Sequence, residues 1–163
     1  MFRLAFYSST PMAPLGLMWS IKIPKEDAKI LSLWLNSTIN ILQVLQDRKE
    51  TRGAFMQIDE YTLDEMLIIN PKTLTIKHKE PLLQLFNKVK NQPFPSILEQ
   101  LRDRFPLRVE IDRAVLRVLG FGVDEINRIL DYLYPAFANK IQQLKHSCKD
   151  NNIVRRLSRI VLV

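Results

Sequence analysis

Asp47, Arg48, Lys49 and Glu50 stand in succession and are followed by Thr51, Arg52 and Gly53. The chemistry open to such a run is electrostatic. Arg48, Lys49 and Arg52 are candidate phosphate contacts, because phosphate binding asks only that a loop hold cations off its scaffold. The competing reading is a solvated turn in which Glu50 pairs with an arginine. Covalent and metal chemistry find little support. Cys148 is the only cysteine, and His78 and His146 are the only histidines, so an internal disulfide, a multi-cysteine zinc site and an unaided histidine cluster are excluded. No Ser-His-Asp or Cys-His context is recognisable. Glu110 with Asp112, and Asp124 with Glu125, are close carboxylate pairs, read here as solvated helix surface.

The basic turn must be positioned by the apolar run before it. Pro24, then Glu26 and Asp27, signal a helix start, since carboxylates favour the positive end of a helix dipole. Leu31, Trp34, Leu35, Thr38, Leu42 and Leu45 follow at helical spacing, and Ile30, Leu33, Ile41 and Val44 widen the stripe. One long helix is expected, with Asn36, Ser37 and Asn40 as poor helix formers in its middle. These polar residues make local capping contacts or face solvent. A sharper alternative has Asn36 and Ser37 hydrogen-bonding a neighbouring loop or a partner domain. Gly53 ends the basic turn, and residues 54–58 alternate as a short strand. Residues 3–8 and 15–23 read as two more strands about a turn at Pro11 and Pro14. Met18 and Trp19 are core residues there or, alternatively, a stacking surface for a base.

A short helix over 61–66 and an extended Leu67-Ile68-Ile69 lead to Pro71. From residue 75 the pattern is helical. One helix runs from Pro81 to Val89, and a second over 97–104 carries a Ser96/Glu99 capping box. Ile111, Val115, Val118 and Leu119 share the face of a third, ended by Gly120. Asp124 caps the next, which Pro135 stops or kinks before 136–144 continue. Residues 116–127 superficially resemble a helix-turn-helix. The basic tail around Arg155, Arg156 and Arg159 reads as a terminal strand or a disordered end. The expected fold class is α+β, mostly helical: a small N-terminal β-sheet packed on a long helix, followed by a bundle of short helices. Residues 1–74 and 75–163 form the two regions.

The formal net charge of +7 favours an anionic partner such as nucleic acid. The lone cysteine suits a reducing, cytoplasmic setting. No stretch reaches the ~18 apolar residues of a membrane span.

Residues 33–38, Leu-Trp-Leu-Asn-Ser-Thr, are followed by an Arg-x-Glu-Thr-x-Gly-x-aromatic turn at Arg48, Glu50, Thr51, Gly53 and Phe55. A Leu-x-x-hydrophobic-x-hydrophobic-x-x-Pro segment closes the pattern between Leu63 and Pro71. This succession resembles the C-terminal, target-recognition part of adenine-specific DNA methyltransferases of restriction–modification type. The resemblance covers roughly residues 12–76, and the helical second half fits it loosely. Members of that family also carry an Asn/Asp-Pro-Pro-Tyr/Phe motif for the target adenine and a Gly-rich loop for S-adenosylmethionine. This chain has no Pro-Pro pair, and only Gly120 and Gly122 lie close together. The resemblance therefore implies a non-catalytic portion that holds no cofactor of its own, the S-adenosylmethionine belonging to a catalytic domain outside this sequence.

Two functions from different classes follow. The first is a module that binds double-stranded DNA through Arg48, Lys49 and Arg52. The second is a docking module that joins a methyltransferase catalytic subunit through Trp34, Asn36 and Ser37 without touching DNA.

Overall fold

A computed structural model describes residues 7, 8, 10, 21–46 and 64–160, with side chains through residue 143. The described residues hold six α-helices and one 3-10 turn: α1 (Lys25–Leu35), α2 (Thr38–Gln46), the turn Pro71–Thr73, α3 (Ile76–Val89), α4 (Ile97–Arg102), α5 (Pro106–Val118) and α6 (Val123–Ile160). No strand occurs among them, which overturns the expected α+β class with its N-terminal sheet. Residues 21–23, Tyr7 and Ser8 belong to no helix or strand. The rest of the expected strands, Met18 and Trp19 included, lies outside the described residues.

The long first helix is also corrected: it is two helices. Asn36 closes α1, its amide Nδ2 donating to the Ser32 carbonyl at 2.8 Å. Ser37 then begins α2. Its carbonyl accepts from the Ile41 N–H at 3.0 Å, and its hydroxyl accepts from the Asn40 N–H at 3.3 Å. That is the work of an N-cap residue, which satisfies an otherwise orphaned donor of the first turn. Asn40 turns back and donates through Nδ2 to the Leu35 carbonyl at 3.0 Å, satisfying the end of α1. Both residues are fully buried, so water cannot replace these bonds. Ser37→Ala is expected to cost about 1 kcal/mol of stability, the usual effect of losing a cap. Urea unfolding followed by circular dichroism checks it, and an unchanged midpoint would show that the cap is redundant.

The later helices follow their local signals more closely. Ser96 and Glu99 form the expected capping box, with Ser96 N–H donating to Glu99 Oε2 at 2.8 Å. Gly120, at φ +93°, ends the turn after α5 in a conformation that residues with a side chain rarely adopt. The next helix starts at Val123 rather than at an Asp124 cap. Glu125 reaches back to accept from the Gly122 N–H at 2.8 Å, while the Gly122 carbonyl accepts from Ile126. Pro135 neither stops nor breaks α6, and the expected terminal strand or disordered end is helical through Ile160. At 38 residues α6 spans roughly 57 Å, so the bundle is not built of short helices alone. Pro135 is exposed, whereas Leu130, Tyr134, Phe137 and Ala138 on the same helix are buried. Packing on that inner face holds the helix through the hydrogen bond that proline cannot make.

Two apolar clusters meet across α5. Ile30, Leu31, Leu33 and Trp34 of α1 pack with Leu82, Phe86 and Val89 of α3 and with Ile111 and Val115 of α5. Ile41 of α2 packs with Ile97 and Leu101 of α4, Leu116 of α5, and Ile126, Leu130, Tyr134 and Phe137 of α6. The first cluster joins residues on both sides of the boundary expected at 74/75. Gln43 adds a polar tie: its Nε2 donates to the Leu67 carbonyl at 3.1 Å and its Oε1 accepts from the Leu67 N–H at 3.0 Å.

Candidate anion-binding cleft

Lys25, Lys29, Ser32 and Asn36 recur at intervals of four, three and four residues, so they form one stripe along α1. That stripe borders a cleft of about 500 Å³. The end of α3 contributes Phe86, Val89 and Lys90, the loop after it Asn91 and Phe94, and α5 Arg108 and Ile111; Tyr7 and Leu33 complete the lining. Among the described residues, four cations line the cleft and no carboxylate does. Two acids on these helices are engaged elsewhere: Asp27 lies 4.0 Å from Lys79, and Glu110 binds Lys88 at 2.7 Å. Lys29 Nζ stands 5.8 Å from the centre of the Phe86 ring, within range of a cation–π attraction. Phe86 also meets Tyr7 edge to face at 5.5 Å, and Phe94 meets Phe105 in the same manner at 5.4 Å.

Arg108 at the inner wall is almost wholly buried. Its Nε donates to Gln100 Oε1 at 2.9 Å, and its Nη1 donates to the Asn36 carbonyl. Gln100 is fixed in turn by donating through Nε2 to the Pro95 carbonyl at 2.7 Å. Both acceptors of the guanidinium are neutral, so its charge is not cancelled by them.

One turn further along α5, Asp112 is fully buried where the two clusters meet. Its Oδ1 accepts from the Thr38 N–H at 2.7 Å; its Oδ2 accepts from the Thr38 hydroxyl at 2.5 Å and from the Tyr134 hydroxyl at 2.7 Å. A carboxylate from α5 thereby caps the first turn of α2, as an anion at a helix N-terminus should. Burial raises the Asp112 carboxyl above the ordinary carboxylate value, outweighing the Arg108 charge and the bonds from Thr38 and Tyr134 that pull it down. Burial first, then the Asp112 charge and hydrogen bond, push the Tyr134 hydroxyl well above its usual value. Tyr134 is thus a neutral donor at any working pH. With no exposure and three donors on its oxygens, Asp112 is a positioning group. It fixes the junction of α1 and α2 against α5, and so holds Asn36 and Arg108 at the cleft.

The expected phosphate contacts Arg48, Lys49 and Arg52 lie outside the described residues. Trp34 and Ser37, expected to meet a partner, are buried inside the chain. Asn36 is half-buried and lines the cleft. The reading of carboxylate pairs as solvated surface fails for Asp112 and holds for Glu110, which shares an exposed ion pair. The stripe at 25, 29, 32 and 36 was a signal open to sequence reasoning. The meeting of that stripe with Lys90 and Arg108 was not, because it depends on how α1, α3 and α5 pack.

Groups of three or more His, Cys, Asp or Glu side chains able to hold a metal ion are absent among the described residues. No described helix is long and apolar enough to cross a membrane. Comparison with protein-family models, with curated proteins and with solved structures returned no match to this chain.

Proposed function

We propose that this chain is a non-catalytic DNA-binding module, the target-recognition portion of an adenine-specific DNA methyltransferase, working on cytoplasmic DNA. The observation that carries the DNA contact is the cleft edge, where Lys25, Lys29 and Lys90 stand without a carboxylate among its lining residues. Ammonium groups on flexible stems suit phosphate contacts that position a duplex without reading its sequence. The net charge of +7 supplies the same sign over longer range. The methyltransferase assignment is supported by the resemblance of residues 33–38 and 48–55 to that family.

Fluorescence anisotropy of labelled duplex DNA over a range of salt concentrations tests the proposal. Each phosphate neutralised contributes about 0.9 to the log–log salt slope. The Lys25/Lys29/Lys90→Ala variant is expected to bind more weakly and to lose about 2–3 from that slope. An Arg48/Lys49/Arg52→Ala variant run beside it reports whether the basic turn shares the contact. Failure of the wild-type chain to bind duplex even at low salt would sink the proposal.

A further inference from the structure

We propose that the cleft between α1, α3 and α5 is a nucleotide site: it takes the phosphate of one nucleotide on Lys25, Lys29 and Lys90 and its base against Phe94. This deepens the DNA-binding reading and rests on it for the strand that would supply the nucleotide. A purely phosphate-binding surface needs only cations. This one combines three exposed or half-exposed lysines with half-buried aromatic rings in a recess of about 500 Å³. That volume falls within the ~300–1,000 Å³ typical of sites that enclose small ligands. The rings are held in place. Phe94 is braced edge to face by Phe105, and Tyr7 by Phe86. A braced, half-exposed ring loses little freedom when a base stacks on it, and stacking tolerates any base because each has a π-face.

Polar side chains share the lining with the cations and rings. Ser32, Asn36 and Asn91 are among them, and the Ser32 hydroxyl, which donates to the Lys29 carbonyl at 2.8 Å, keeps lone pairs that can accept from a sugar or base edge, a contact a simple anion cannot make. Arg108 adds a fixed positive charge at the inner wall, with its orientation set by Gln100 and the Asn36 carbonyl. Its cost of ordering is already met in the unliganded fold, which favours binding over a surface arginine of equal charge. The shared chemistry is an aromatic ring joined to a phosphate. It can arrive as a free mononucleotide or as an unstacked nucleotide within a DNA strand.

The test is a titration of the full isotope-labelled chain followed by amide chemical shifts. Four probes are used separately: AMP, adenosine, inorganic phosphate and a single-stranded oligothymidylate. AMP and the oligonucleotide are expected to shift amides of the 25–36 stripe and of residues 90–94, with phosphate and adenosine each binding at least about tenfold more weakly than AMP. Phe94→Ala should weaken AMP roughly tenfold and leave phosphate unchanged, since base stacking is lost and the cations remain. Lys29→Ala should weaken both. Lys29 and Phe94 are both half-buried, and Phe94 packs at the edge of the first cluster, so circular dichroism confirms that each variant is folded before titration. Oligothymidylate binding tighter than AMP would assign the nucleotide to a strand; AMP binding as tightly would assign it to the free pool. Phosphate binding as well as AMP, or a Phe94→Ala variant with unchanged AMP affinity, would overturn the nucleotide site. Duplex binding by a chain that ignores both AMP and oligothymidylate would overturn it too, while leaving the DNA-binding module standing. Nucleotide binding without duplex binding would do the reverse.

Discussion

Asp112→Ala is expected to lower the unfolding free energy by about 3–5 kcal/mol, the range for removing one partner from a buried charged network. The substitution leaves three buried donors without an acceptor: the Thr38 N–H, the Thr38 hydroxyl and the Tyr134 hydroxyl. Each such group carries a desolvation penalty of about 1–3 kcal/mol. Thr38 and Asp112 have no exposure and Tyr134 almost none, so water cannot step in without opening the core. Arg108, one turn away, also loses its electrostatic interaction with the Asp112 carboxyl. Against a total stability of about 5–15 kcal/mol, this loss brings the chain near unfolding at moderate temperature. Urea titration followed at the helical circular dichroism band measures it. Tyr134→Phe, which removes one of the three donors together with its need, is expected to cost only about 1 kcal/mol. A loss below about 1 kcal/mol for Asp112→Ala would mean that Thr38 and Tyr134 find other acceptors, and that the hub is not what fixes α2.

The effect should spread to the cleft. Asp112 holds Thr38, Thr38 begins α2, and the α1–α2 junction presents the Asn36 carbonyl to Arg108. A chain with a loosened junction would keep its lysines and lose the fixed guanidinium. Duplex binding would then persist with a less ordered inner wall. The separation is useful, because exposed cations supply affinity through the number of phosphates met, whereas a positioned arginine supplies orientation.

What the sequence discloses here depends on how local each cause is. The capping box at Ser96 and Glu99 needs only four consecutive residues and was legible as such. So was the end of α5 at Gly120, where a single backbone angle decides the matter. The break between α1 and α2 was hidden because the apolar periodicity runs through it. Ile41 continues the spacing of Leu31 and Trp34, although it packs in the other cluster. The residue that finishes capping α2 stands 74 positions away, on α5. A buried carboxylate of that kind reads in sequence as one more surface acid. Pro135 misled in the opposite sense. Its local effect is to end a helix, and tertiary burial of its neighbours overrides it. The turn at Pro11 and Pro14 that suggested strands on either side, over 3–8 and 15–23, is a weak signal over so few positions. Where that segment is described, at 21–23, it is not a strand, and no strand occurs among the described residues.

The contribution of Asp112 to stability should fall as pH rises above about 4, by up to about 1.4 kcal/mol per pH unit. The sign follows from the direction of its shift. Burial raises the folded-state value above the unfolded value of 3.8, so between the two values the folded chain binds more protons than the unfolded chain. Below 3.8 both states are protonated and the contribution is at its most favourable. It is lost as pH climbs to the folded value and is constant beyond it. The groups facing the carboxyl are Arg108, Thr38 and Tyr134, and of these Tyr134 stays neutral throughout because its own hydroxyl is shifted upward. Asp112→Asn replaces the acid with a neutral group of the same shape, and its stability should lack this component. The difference between wild type and Asp112→Asn, measured by urea unfolding at intervals from acid to neutral pH, isolates the carboxyl from every other titrating group. Wild type should lose ground to the variant as pH rises through the window. If instead wild type gains on Asp112→Asn over that window, the three donors and the Arg108 charge outweigh burial, and the hub is an ionised carboxylate held below its ordinary value.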